Sequence, residues 1–167
     1  MSIKDKLKKC FKEGEKSKER HKGLRKIDIN EEIINAHIKK ANHNFRALTS
    51  FKEMGFSDWS ASAAFYTLYH LLLALLIKFG IESRNQSCTF AYIEQLIEDK
   101  KIDLSKNELK EIFDKNITDD LAHSNKILDL RENYQYSTKT SFEEDEFNEL
   151  KNRVKNLYDK LRIEVEK

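Results

Sequence analysis

The 167-residue chain contains no proline, only four glycines and only two cysteines. Without proline nothing forces a break inside a helix, and so few glycines cannot supply the many turns of a sandwich or barrel. Four scattered glycines also exclude a Gly-rich phosphate loop. Cys10 and Cys88 stand alone, and the opening "MSIKDKLKKC" lacks the apolar core of a secretory signal. The expectation is a cytoplasmic protein with reduced thiols, Cys88 serving a structural role. The most apolar stretch, "LYHLLLALLIKF", is interrupted by His70 and Lys78 and is shorter than the ~20 residues that cross a bilayer. It reads as a core helix, with no membrane implied.

What the chain has in abundance is charge, 36% of all residues. Its length suits one domain with a real core, and its composition suits long helices joined by short turns. The small net charge of +2 conceals an asymmetry: residues 2–26 hold eleven Lys/Arg against four Asp/Glu, and the remainder twenty against twenty-five. A basic N-terminal arm or helix, residues 1–27, therefore precedes an acidic helical body, residues 28–167. Such an arm can favour a polyanion such as RNA through counterion release, although a solvated helical face is the preferred reading. With an apolar stripe limited to Ile3, Leu7, Cys10 and Phe11, it is expected to add little to folding.

Helical spacing organises the body. Asp28 with Glu31 has the spacing of a capping box, followed by Ile34, Ile38, Ala41, Phe45, Leu48 and Phe51 at helical intervals. Gly55 and Gly80 are placed to end helices in the left-handed conformation. Between them, "DWSASAAFYTLYHLLLALLIKFG" is apolar nearly all round and therefore central. After the polar loop "ESRNQS" come a helix with Phe90, Ile93, Leu96 and Ile97, a capping box at Ser105 and Glu108, a cap at Thr118, and a last helix opened by Ser141 and Glu144. That last helix carries Phe147, Leu150, Val154, Leu157 and Leu161 as its stripe. The expected fold is all-α, an antiparallel four- to five-helix bundle with an additional basic N-terminal segment.

One helix departs from clean amphipathicity. Wound from Thr118 at ~100° per residue, it puts Leu121 and Leu128 on one flank and Ile127, Leu130 and Tyr134 on the other. Asp120, Ser124 and Arg131 form a polar seam between them. An unpaired buried guanidinium is costly, so Arg131 needs a carboxylate, a cleft or a subunit boundary. An ion pair with Asp120 or a neighbouring glutamate is one reading; a phosphate received by arginine's flat fork of donors is the other. His123 lies beside the seam and is the best proton carrier there, while His70, set among leucines, reads as a hydrogen-bonded core residue. Arg84 and Asn85 sit in a polar loop able to touch phosphate. Asp120 and His123 alone do not make a metal site, and nothing calls for a cofactor.

The segment "ANHNFRAL…FSDWSASAAFYTLYHLLLALLIKFGIESRN", followed by "LRENYQY", resembles the HEPN superfamily (higher eukaryotes and prokaryotes nucleotide-binding) over roughly residues 36 to 165. The resemblance implies a helical bundle that often dimerises, with motif helices facing a shared cleft. It implies ribonuclease toxins, commonly encoded beside a nucleotidyltransferase-like antitoxin, or noncatalytic nucleotide- and RNA-binding relatives. The ribonuclease motif is an arginine followed after four to six residues by histidine. Arg131 matches the arginine, but Tyr136, Ser137 and Thr138 stand where the histidine belongs. A tyrosine with pKa near ~10 is a poor base, so the expectation is a binding protein without conventional nuclease activity. Arg131, Asn133, Tyr134, Asp120, Ser124, Arg84 and Asn85 are its candidate ligand residues. The alternative is an endoribonuclease using Arg131 with His123 or Tyr136.

Overall fold

The computed structural model describes residues 1–16, 18–112, 127, 131 and 134–167. Helix α1 (Ile3–Glu15) and strand β1 (Leu24–Lys26) precede the long α2 (Glu31–Glu53). A 3₁₀ turn (Ser57–Trp59) runs into α3 (Ser60–Lys78), followed by β2 (Ile81–Ser83), α4 (Gln86–Glu98), α5 (Lys106–Ile112) and α6 (Glu144–Glu166). Ile127, Arg131 and residues 134–136 are helical. The all-helical bundle expected from the sequence is the fold.

Helix α3 is its axis. Fourteen of its nineteen residues are buried, including Phe65, Leu68, Leu71, Leu72, Leu75 and Leu76 at zero exposure. Each such side chain removed from water contributes about 1.5–3 kcal/mol, which no surface interaction here approaches. Ser57–Lys78 is in fact long and apolar enough to cross a membrane by length and composition, contrary to the shorter span read from sequence. Because 78% of its apolar window is buried inside the protein, it is packed as a core helix. Helix α2 covers it with Ile34, Ala41 and Leu48, seven residues apart, and α6 with Phe147, Leu150, Val154, Leu157 and Leu161.

The helices alternate direction only in part. Phe142, just before α6, donates its N–H to Ser57 Oγ (2.8 Å) at the start of α3. Lys78 at the end of α3 donates to the Val165 carbonyl (2.8 Å) at the end of α6. Helices α3 and α6 therefore run the same way, with α2 antiparallel to both: Lys52 near its end pairs with Glu144 at the start of α6 (2.6 Å).

Several boundaries differ from expectation. Asn30, not Asp28, caps α2 by accepting from Ile33 N (3.2 Å). Helix α6 starts after Glu143 without a side-chain cap, so Ser141 does not open it. The Ser105–Glu108 box is fully formed (2.8 and 3.1 Å). Gly55 (φ +84°) closes α2 with the paired bonds Phe56 N–H to Phe51 O and Gly55 N–H to Lys52 O, and Gly80 (φ +73°) closes α3. Thr118 lies outside the described residues.

The largest departure is at the N-terminus. Leu7, Cys10 and Leu24 belong to the main core, and β1 pairs antiparallel with β2, Leu24 opposite Ser83. "ESRNQS", read as loop, supplies part of that strand and the cap of α4. Cys10 and Cys88 are joined by a disulfide, which corrects the expectation of reduced thiols. The segment expected to add little to folding is bonded to the body in three independent ways.

Candidate functional site around Arg131

Arg131 is held by two rings of α3 that are adjacent in sequence and meet edge to face, centroids 5.2 Å apart, one buried and one at the surface. Phe65 points inward at zero exposure and stacks on Tyr69 (centroids 5.8 Å). Tyr66 points outward and is 37% exposed. The Arg131 guanidinium carbon lies 4.6 Å from the Phe65 ring centre and 5.7 Å from that of Tyr66. Its Nη1 donates to Tyr66 Oη at 3.3 Å. The guanidinium thus meets ring faces whose negative quadrupole attracts a cation, an interaction of about 0.5–2 kcal/mol.

What the cation does not meet is equally informative. Among the described residues Arg131 makes no ion pair, and its Nε is buried with no hydrogen-bond partner. The rings stabilise the charge without neutralising it, and among the described residues the Tyr66 hydroxyl takes one of the guanidinium's donors. Asp120, the expected partner for an ion pair, lies outside the described residues, as do Ser124, His123 and Asn133.

The remaining tyrosines separate into two roles. Tyr134 is buried, its ring stacked on Phe142 (centroids 3.9 Å), and its hydroxyl donates to Glu146 Oε2 (3.2 Å). Burial, aided by the Glu146 carboxylate, pushes its phenol above the ordinary value of 10, so it stays protonated. Tyr134 fastens the Arg131 helix to the start of α6. Tyr136 stands in solvent, 85% exposed. One turn beyond Arg131, Gln135 accepts from Ser62 Oγ (2.7 Å), so Ser62 and Tyr66 of α3 meet Gln135 and Arg131 in opposite chain order.

Arg84 and Asn85 are not brought to this site. Tyr66 and Lys78 are twelve helical residues apart, about 18 Å, and both loop residues lie beyond Lys78. There Asn85 caps α4 by accepting from Cys88 N (3.0 Å), and Arg84 donates to the Glu19 carbonyl and to Glu82 (3.5 Å). His70 is hydrogen-bonded, as its surroundings suggested, but to another histidine: the two Nδ1 atoms of His37 and His70 are 3.0 Å apart. Their ring centres are 5.3 Å apart, the separation of two rings pointing nitrogen to nitrogen, so one ring donates N–H to the other. Burial lowers the pKa of both, His70 to about 4 with help from His37 and Lys40.

Sequence reasoning missed Tyr66 and Phe65 as the cradle of Arg131. The available signal was the spacing Trp59, Ser62, Tyr66, a polar and aromatic stripe on a helix otherwise apolar all round. In the structure that stripe is the exposed face of α3, Trp59 being 47% exposed.

No curated protein significantly matches the chain. The family description "HEPN domain" matches residues 34–164, more than three quarters of its length. The matched region runs from the first turns of α2 nearly to the end of α6 and contains the whole Arg131 cradle, whereas α1 and β1 lie outside it. The chain belongs to the HEPN family.

Proposed function

We propose that this HEPN protein binds a phosphate-bearing ligand, a nucleotide or an RNA segment, at Arg131, and that it lacks conventional nuclease activity. The observation that carries the reading is the guanidinium lodged on Phe65 and Tyr66 with no carboxylate among the described residues to neutralise it. HEPN membership supports nucleotide- or RNA-related function in general. Phosphate is the anion that best uses arginine's planar donors, and a base can stack on the exposed Tyr66 ring.

Cleavage through the ribose 2′-hydroxyl needs a group that titrates near neutrality. The position expected to supply it is occupied by Tyr136, whose ring stands 85% exposed. The exposed Met54, Phe56 and Trp59, which precede α3 in the chain, support a homodimer formed at this end of α3, so that two Arg131 side chains share one cleft. A nucleotidyltransferase-like antitoxin is the partner to seek in the neighbouring gene, and the cytoplasm is the compartment to test first, with the state of the Cys10–Cys88 bond there as the check.

The test pairs binding with cleavage. Arg131→Lys keeps the charge and removes the fork, and should weaken RNA or ATP binding about tenfold in fluorescence anisotropy. Tyr66→Phe keeps the stacking ring and should cost only two- to threefold. Robust cleavage of RNA by the unmodified protein, abolished by Tyr136→Phe, would establish the endoribonuclease instead. Purely monomeric light scattering at high micromolar concentration would refute the dimer.

A further inference from the structure

The Cys10–Cys88 bond joins α1, outside the family region, to α4, inside it, across 78 residues of chain. Both residues are nearly buried, at 4% and 6% exposure, yet both line one open groove of about 710 Å³ between α1 and α4. Lys6, Lys9 and Lys22 stand on that groove, against Glu13 and Glu94. None of the three lysines forms an ion pair among the described residues. A disulfide that lines a groove carrying three lysines is selective about the thiols that approach through it.

We propose that this groove is a thiol–disulfide exchange site for small anionic thiols, and that Cys10 is the sulfur attacked. The two sulfurs are not equivalent as leaving groups. Cys88 is the third residue after the cap Asn85, and its own N–H is the one Asn85 holds, so Cys88 sits in the first turn of α4. A thiolate there is stabilised by the helix N-terminus, and the better-stabilised thiolate leaves faster. Cys10, eight residues into α1, has no such support.

The step balances with a thiol as the only co-reactant. A thiolate attacks Cys10 Sγ, the S–S bond breaks, and its electron pair leaves on Cys88 Sγ, giving a mixed disulfide at Cys10. A second thiolate attacks the small-molecule sulfur of that adduct and releases Cys10. Two thiols are oxidised to one disulfide, and their two protons end on Cys10 and Cys88. The N-terminal segment is not set free, because β1 remains paired with β2 and His21 remains bonded to Glu82 (3.0 Å). What loosens is the Cys10 face of α1, whose other anchors are Leu7, the edge contact of Phe11 with Tyr92 (6.3 Å) and, near its end, the bond from Arg25 Nε–H to the Gly14 carbonyl.

The folded protein is incubated at low salt with glutathione or with cysteamine, an anionic and a cationic probe, at equal thiolate concentration. Intact mass and peptide mapping then give the rate and position of the adduct. Glutathione should react at least tenfold faster, with its adduct on Cys10. The advantage should vanish in high salt and in the Lys6→Glu, Lys9→Glu, Lys22→Glu variant, whose fold is checked by circular dichroism. Hydrogen exchange should rise in residues 3–15 of the adduct and not in β1. Equal rates for the two thiols, an adduct on Cys88, or reaction only after unfolding would each overturn the proposal.

Discussion

At its N-terminal end α3 exposes Trp59 and Tyr66 and receives the Arg131 helix through a ring stack, one 3.3 Å hydrogen bond and the Ser62–Gln135 contact. At its C-terminal end the same helix is enclosed: Ile27 donates to the Gly80 carbonyl (2.9 Å), Lys78 reaches the end of α6, and β2 pairs with β1. The disulfide and the His21–Glu82 bond reinforce the segment beyond it. One end holds its neighbours by contacts that a ligand can rearrange; the other uses covalent and strand-ladder bonds that it cannot. Binding surfaces come from the weakly held part of a structure, and here that part is the one carrying an arginine that no carboxylate among the described residues neutralises.

If the enclosed end is the stable one, breaking it should cost most. Replacing Cys10 and Cys88 together by serine releases a 78-residue loop and should destabilise by about 4 kcal/mol in urea unfolding under non-reducing conditions. A loss under 1 kcal/mol would mean that strand pairing and burial already determine where α1 lies.

Gly14→Ala attacks the same end more locally. A Cβ there would lie 1.9 Å from the Leu24 carbonyl oxygen, so α1 and β1 must move apart. The expected cost is about 2–3 kcal/mol by the same assay, with hydrogen exchange rising in α1 and β1 and not around Phe65. Faster exchange around Phe65 as well would show that the two ends of α3 unfold together.

The His37–His70 pair, between the ends, gives a smaller and pH-dependent effect. His70 is held at about 4 in the folded protein against an ordinary 6.5, chiefly by burial. Below pH 6.5 the unfolded chain takes up a proton that the folded chain refuses until about pH 4. Stability is therefore complete above pH 6.5 and falls as pH drops from 6.5 to 4. At a half-buried, solvent-screened site the loss should be about 1 kcal/mol, and it should shrink in His70→Leu.

Much of this architecture was legible in the residues, and the limits are physical. The stripes of α2 and α6, the all-round apolarity of α3 and the glycine stops read directly, because burial and left-handed backbone leave local signatures. The β1–β2 pairing did not, since three residues paired across more than fifty leave no periodicity to see. The disulfide was misread because one cysteine pair in an unremarkable sequence does not reveal proximity. At the site, Arg131 announced itself as a charge on an apolar face. Its partners did not, because Phe65 and Tyr66 lie 65 and more positions away in the chain, on a helix whose apolarity reads only as core. Tyr134, read as a ligand residue, is engaged by Phe142 and Glu146, contacts that the sequence separates by eight and twelve positions.

The central claim is that the Arg131 charge is kept for a ligand, and Arg131→Ala tests it directly. Thermal unfolding by circular dichroism is to be measured beside anisotropy with a labelled single-stranded RNA. The account predicts a melting temperature within about 8 °C of the parent, because rings that lose a cation lose only about 0.5–2 kcal/mol, together with at least a tenfold loss of affinity. A loss of about 3–5 kcal/mol in stability would reveal a carboxylate stranded by the truncation. That result, or unchanged affinity, would contradict the account.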